Sequence, residues 1–287
     1  MFMKYNSADL IPAVKRARNY RLYTVSGKKI LDFNQDGGRA LLGSTPERFS
    51  QTLKNEISRG TYSGYPSRYR VRTMKALERL AGTGEISWAG VFSCVGKALD
   101  HISAVEGRLF SVSDRFPDAR LSCSNDAEIP VWYPFSGRSF HEYLEKYRFV
   151  IPLVPFPGSF APVNVVSSRP GIEKSADDFQ VSHIQLAGNI RSIFLLLEYM
   201  EKDPYSFWES GWRQNTGKVE KIWKKTGPYL VPVYGAESHY NIFKAFLNRG
   251  ILISLEHCFP SVLPGELSEG GQKAFFRAAE IISEEYC

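Results

Sequence analysis

Residues able to do chemistry are sparse in this 287-residue chain and avoid the common catalytic patterns. His101, His141, His183, His239 and His257 lack the i, i+4 spacing that sets two imidazoles on one helix face around a metal. His257-Cys258 is an adjacent pair whose side chains point opposite ways in a strand. Cys94, Cys123, Cys258 and Cys287 lie far apart without C-x-x-C spacing, which fits reduced thiols better than a disulfide scaffold or a zinc site. No G-x-S-x-G, Walker A or G-x-G-x-x-G run occurs. Two places are left. In 176–189, ADDFQVSHIQLAGN, an acidic start runs through a short apolar segment into Gly188, with Asp177 six residues before His183. Within it His183 is a candidate general base, or else a satisfied, partly buried side chain. Val95-Gly96-Lys97 follows the apolar run WAGVFSC. There a glycine turn into a helix offers free N–H groups to an anion and Lys97 adds charge, or else Gly96 only lets the chain turn tightly.

The elements that must hold these residues are legible from turn signals and periodicity. Residues 20–33, YRLYTVSGKKILDF, predict a hairpin around Ser26-Gly27. Thr45 as N-cap, Pro46 at the first turn and Phe49, Leu53 and Ile57 at i, i+4 and i+8 predict a helix ending at Gly60. A second helix is predicted over 67–80, with Val71, Met74, Leu77 and Leu80 as its core stripe. Strand 88–94, a helix carrying Ala98, Leu99, Ile102 and Val105, and strand 108–112 read as a βαβ unit and hence a parallel sheet. A short strand at 129–133, a helix over 139–147 and a strand over 148–154 follow, before Pro155, Pro157 and Pro162 limit any strand to a short or edge position. Residues 190–201, apolar on nearly all sides, predict a buried linking helix. The remainder reads as a basic helix near 217–225, a strand at 229–234, a helix at 238–248, a strand at 251–255 and a final helix over 268–285. Three segments follow: 1–60 with the hairpin and first helix, 61–189 with the central sheet, and 190–287 with the linking helix and a small C-terminal domain.

Composition bounds the rest. At 43% hydrophobic and 14% aromatic the chain is globular, not disordered. Its net charge of +6 is scattered, and the densest basic stretches, 15–21, 68–75 and 218–225, read as solvated faces rather than a nucleic-acid surface. No apolar run approaches a membrane span, and the N-terminal MFMKYNSADLIPAV lacks the apolar core of a signal peptide. A cytoplasmic protein is expected.

Several of these pieces together resemble the class III aminotransferases, pyridoxal-phosphate enzymes of fold type I. They are the 176–189 stretch, which resembles the family's signature strand-turn with Gly188 closing the turn, the hairpin ending in Leu31-Asp32-Phe33, the Gly-rich GGRALLGSTPERF, and the tail with Arg249-Gly250 and Pro260-Ser261. The resemblance implies an α/β fold with a central, mostly parallel sheet, helices on both faces and a small C-terminal α/β domain. It also implies a homodimer and pyridoxal phosphate as cofactor. It sets His183 at the position of the Schiff-base lysine, Gly96 and Lys97 at the phosphate turn, and 150–158 at the strand end that carries the acid facing the pyridine nitrogen.

An imidazole cannot form the imine, because only a primary amine condenses with the aldehyde. Val95 replaces a hydroxyl, VIPLVPFPG at 150–158 contains no acid, 112–133 holds no stacking aromatic with His-Gly, and Gly188 passes straight to Ile190 without a Gly-Thr loop. At roughly 1.5–3 kcal/mol for each lost contact, affinity for the cofactor falls by several orders of magnitude. The implied protein is a shortened, degenerate aminotransferase homologue, a pseudoenzyme with a binding or regulatory role. The alternative is a diverged enzyme with His183 as general base and a non-covalently held cofactor. Lys174, nine residues upstream of His183, is a further candidate amine.

Overall fold

A computed structural model describes residues 7–60, 67–82, 86–113, 127–158, 160–169 and 181–286. They divide by packing into two compact units, 46–201 and the pair 1–45 with 202–287. These cuts, at 45/46 and 201/202, fall at other places than the bounds of the three sequence segments.

The chain opens with β1 (Val14–Arg18), β2 (Arg21–Thr24) and β3 (Lys29–Asp32), antiparallel neighbours in that order. The β2–β3 hairpin is the expected one: Gly27 takes φ +84°, and the Lys28 N–H donates to Thr24 Oγ1 at 2.9 Å.

In the 46–201 unit, α1 (Phe49–Ser58) begins at Arg48, not at Thr45, and no side chain caps it. Ile57 is 61% exposed, so the predicted stripe breaks and the buried positions of α1 are Phe49 and Glu56. In α2 (Tyr69–Ala81), Leu77 and Leu80 are buried as expected, whereas Val71 is 63% exposed and Tyr69 and Thr73 take the inner positions. β4 (Trp88–Phe92) is buried along its whole length. After it come α3 (Val95–Glu106), β5 (Ser111–Ser113), β6 (Glu128–Trp132), α4 (Phe140–Lys146), β7 (Ile151–Pro152), β8 (Val163–Ser167) and α5 (His183–Lys202). Ser139 starts α4 through a capping box with Glu142.

The predicted βαβ unit is present in a different form. β5, β6 and β7 are parallel neighbours, but β4 pairs antiparallel with β8, five residues in register from Trp88↔Ser167 to Phe92↔Val163. An antiparallel bridge from Val150 to Val166 joins the two sets, giving the order β5-β6-β7-β8-β4 with β8 alone reversed. The crossover through α3 therefore spans the sheet instead of linking neighbours. β8 itself, following the proline cluster, was not among the predicted strands. Its central partners, Val150 and β4, lie far away in sequence, so nothing local announces it.

Helices cover both faces, as expected. Trp88 and Phe92 point to the side of Ala98 and Ile102 on α3. Ala89 and Val91 point the other way, toward Ala76 and Leu77 of α2, Leu144 of α4, and Leu186, Ala187 and Ile193 of α5. Period-two alternation along β4 separates the two cores.

The remaining elements are α6 (Trp208–Val219), β9 (Trp223–Thr226), β10 (Tyr229–Pro232), α7 (His239–Asn248), β11 (Ile251–Leu252), β12 (Ser261–Val262) and α8 (Glu269–Tyr286). The basic stretch near 217–225 is not one helix: α6 stops at Val219, and Lys224 and Lys225 lie on β9, paired with Val231 and Leu230. The Gly227-Pro228 step, with Gly227 at φ +56°, makes the turn that favours a hairpin there. β11 adds in parallel to β3, and β12, β10 and β9 form a second sheet. Phe33 stacks on Phe275 at 4.6 Å, and Phe275 on Trp223 at 5.6 Å, forming the aromatic centre of this unit. Among the described residues no helix is long and apolar enough to cross a membrane.

Candidate functional site

Gly96 and Lys97 occupy the first turn of α3, directly after the buried β4. The N-cap, Cys94, has extended backbone and makes no side-chain capping bond, and residues 94–97 are all exposed. Gly96 is not required by its backbone, which lies outside the left-handed region. Nor is it required by space, since an added Cβ would come no closer than 4.0 Å to Cys94 Sγ. The tight-turn explanation of Gly96 therefore fails. What the first turn of α3 presents is uncapped N–H groups beside an exposed lysine, an arrangement suited to an anion.

His183 is not on a strand-turn. It is the first residue of α5, and Gly188 lies inside that helix instead of closing a turn. The cause is a capping box. Ser182 Oγ accepts the Gln185 N–H at 3.3 Å, and Gln185 Oε1 accepts the Ser182 N–H at 3.0 Å. That S-x-x-Q pattern, followed by Leu186, was the available sequence signal, and it starts the helix seven residues before Ile190. Asp177 and Lys174 lie outside the described residues.

The His183 ring is buried and meets Tyr69 edge-on at 6.3 Å. Tyr69 donates its hydroxyl hydrogen to Glu56 Oε1, while Arg68 donates to the Tyr69 oxygen at 2.7 Å. Arg59 and Arg68 both pair with the same Glu56 oxygen. Burial, then the bond to Glu56, push the Tyr69 phenol above its usual range, which keeps it protonated. This Glu56–Tyr69 pair was missed in the sequence. Its signal was Glu56 at i+7 of the stripe that Phe49 and Leu53 begin.

The run 150–158 leaves β7 as irregular backbone held by the Leu153 N–H on Trp132 O at 2.9 Å. Within this acid-free run Phe156 is 1% exposed and packs edge-on against Phe49 at 4.9 Å. Gly188 makes room for it, because a Cβ there would stand 2.7 Å from Phe156 Cε2. At the next residue, the Asn189 and Asn164 amides bond each other reciprocally at 2.7 and 3.0 Å, both side chains fully enclosed. Lys54, Lys75, Lys97 and Lys146, the described lysines of the 46–201 unit, are all exposed. Among the described residues, then, this unit holds no enclosed amine fit for a Schiff base, whose lysine must be desolvated to stay neutral.

In the other unit Asp32 is the most perturbed acid. Enclosure pushes its carboxyl up to about 6, against the pull of its bonds to the Gln35 and Asn34 N–H groups. Two histidines also meet there. His239 Nδ1 shares a 3.0 Å hydrogen bond with the Tyr234 hydroxyl, His257 Nε2 bonds Tyr234 O at 2.7 Å, and the two rings stand 5.9 Å apart. No three metal-ligating groups cluster among the described residues. Burial lowers the His239 pKa, so the folded chain binds this proton less readily than the unfolded one. Stability is therefore expected to fall as pH drops below about 6.5, the unperturbed histidine value. His239→Gln should flatten that loss, measured by urea unfolding at pH 7.5 and 5.5; an unchanged slope would refute it.

No family model matches the chain. An uncharacterised protein of Borreliella burgdorferi is 25% identical over 267 residues, covering 91% of this chain and 88% of that one. An uncharacterised protein of Treponema pallidum is 24% identical over 293 residues, covering 88% of each. Among solved structures, the ornithine aminotransferase of Plasmodium yoelii superposes with a TM-score of 0.73 at 10% identity, covering 96% of this chain and 94% of that one. A transaminase with pyridoxal phosphate bound gives 0.71 at 12% identity, covering 100% and 94%. The acetylornithine aminotransferase of Elizabethkingia anophelis gives 0.64 at 13% identity, covering 96% and 94%. Likeness at such identities shows the fold alone, and that fold is the α/β architecture of fold type I aminotransferases.

Proposed function

We propose that this chain is an aminotransferase-like protein that has lost pyridoxal-phosphate-dependent transamination and serves a binding or regulatory role in the cytoplasm, as a homodimer. The observation that carries the reading is the exposure of all four described lysines of the 46–201 unit, together with the packing of 150–158. Pyridoxal phosphate supplies an electron sink once an amine has joined it and an acid keeps its ring nitrogen protonated. His183 lacks the amine, and the 150–158 run contains no acid. The described residues of the 46–201 unit do not fit a covalently held cofactor.

A second reading rests on the uncapped first turn of α3. Gly96 and Lys97 would hold a phosphate without covalent linkage, and His183 would take up a proton as general base. One experiment separates the two. Protein mixed with pyridoxal phosphate is gel-filtered, its visible absorbance is read with and without borohydride, and its melting temperature is measured at saturating cofactor. The first reading expects complete removal of colour and an unchanged melting temperature, since a ligand of the native state must stabilise it. Cofactor that co-elutes with the protein, loses its visible band on borohydride reduction of the imine to a secondary amine and then stays covalently attached would defeat it. Retained, non-covalent cofactor lost in Lys97→Ala would establish the second. The elution volume reports the dimer in the same run.

A further inference from the structure

We propose that the β1–β2 turn and the segment entering α8 form a binding site for a small-molecule oxyanion, a phosphate or carboxylate, separate from the strand-end site above. A cavity of about 490 Å³ opens there, within the range of roughly 300–1,000 Å³ typical of ligand pockets. Arg18 and Arg21 both line it and are direct cross-strand partners. Like charges placed opposite each other on one sheet face repel, and the usual remedy is an acid between them. Among the described residues neither arginine takes part in an ion pair. On the same face Arg16 is already engaged over the Tyr23 ring at 4.5 Å. Two adjacent guanidinium forks that pair with no carboxylate among the described residues fit the geometry of an oxyanion.

The turn is held rather than loose. Asn19 adopts φ +51°, its carbonyl accepts the Ser44 N–H at 2.8 Å, and the Tyr20 hydroxyl donates to Leu41 O at 3.0 Å. Gly265 lets the α8 approach segment press against that tyrosine, because a Cβ there would stand 2.6 Å from the Tyr20 hydroxyl. Arg18 and Arg21 are thus set opposite Glu266 and Ser268 by fixed backbone on both sides. Preorganisation of this kind lowers the ordering cost of binding. Glu266 is the acid of the cavity and also has no ion pair among the described residues. Its charge opposes a bound anion, so removing it should tighten binding.

The test titrates the intact chain at low ionic strength with inorganic phosphate, followed by ³¹P NMR, and with glutarate, followed by calorimetry. Saturable binding of at least one probe is expected, weakened at least about tenfold in R18Q/R21Q and tightened about two- to fivefold in E266Q. Which probe binds tells phosphate from carboxylate chemistry. If the double arginine variant does not fold, E266Q decides alone, because a gain in affinity cannot arise from a folding defect. Failure of both probes to saturate, no gain in E266Q, unchanged binding in a folded R18Q/R21Q, or binding confined to an oligonucleotide would overturn the proposal.

Discussion

Asp32→Asn is expected to stabilise the protein by about 2–3 kcal/mol at pH 8 and to leave it nearly unchanged at pH 4. The carboxyl titrates at about 6 when folded, against an ordinary value of 3.8. An acid whose pKa is raised by folding binds more protons in the native state. Its contribution is therefore fully favourable below 3.8 and is lost as pH climbs through about 6. Asparagine removes the half-buried charge and keeps the geometry, because the Asn34 and Gln35 N–H groups, at 3.0 and 2.8 Å, both donate to the single oxygen Oδ1. Those bonds matter, since Gln35 and Asp36 stand at φ +46° and +51°, where non-glycine backbone is disfavoured by about 1–2 kcal/mol per residue. Asp32→Ala loses both acceptors and should destabilise at pH 4, with the loss partly offset at pH 8. Urea unfolding at pH 4, 6 and 8 reads wild type and both variants. A gain in Asp32→Asn that did not change with pH would defeat the assignment. His239 acts in the opposite sense, weakening the fold as pH falls, so the two single variants must be compared separately with wild type.

Gly188→Ala is the second expected result: a loss of about 1–2 kcal/mol, although alanine is the better helix former by about 1 kcal/mol. The new methyl would lie 2.7 Å from Phe156 Cε2 and 3.0 Å from Leu53 Cδ2. Phe156 cannot swing aside, being enclosed and flanked by Phe49 at 4.9 Å and Phe160 at 5.2 Å. Overpacking therefore outweighs propensity. Phe156→Leu should be costly alone but should relieve the clash, so a double-mutant cycle should show a positive coupling between the two sites. Additive losses would mean that the ring yields, and that Gly188 is present for another reason.

Much of the local structure was legible in the sequence because its causes are local. Gly27 at the hairpin tip, Ser139 with Glu142 at α4, and the apolar spacing of Leu77 and Leu80 each act within a few residues. Ser182 with Gln185 was equally readable, but the resemblance of 176–189 to a strand-turn competed with it, and the capping box won. Val71 and Ile57 show the limit of periodicity, which finds a stripe but not where the facing elements end. The class of fold followed from the resemblance, and the structural likeness bears it out.

Sequence by itself determined the hairpin, most of the helices, the absence of an amine at His183 and of an acid in 150–158. These are facts of residue type and near-neighbour hydrogen bonding. Only the tertiary structure decided that β8 lies reversed between β7 and β4. It alone showed that Gly188 serves Phe156, that Glu56 sits under Tyr69 and that Arg18 and Arg21 open onto one cavity. Each of these joins residues distant along the chain, apart from the directly opposed arginines. Their energy comes from excluded volume and burial, which no local window contains.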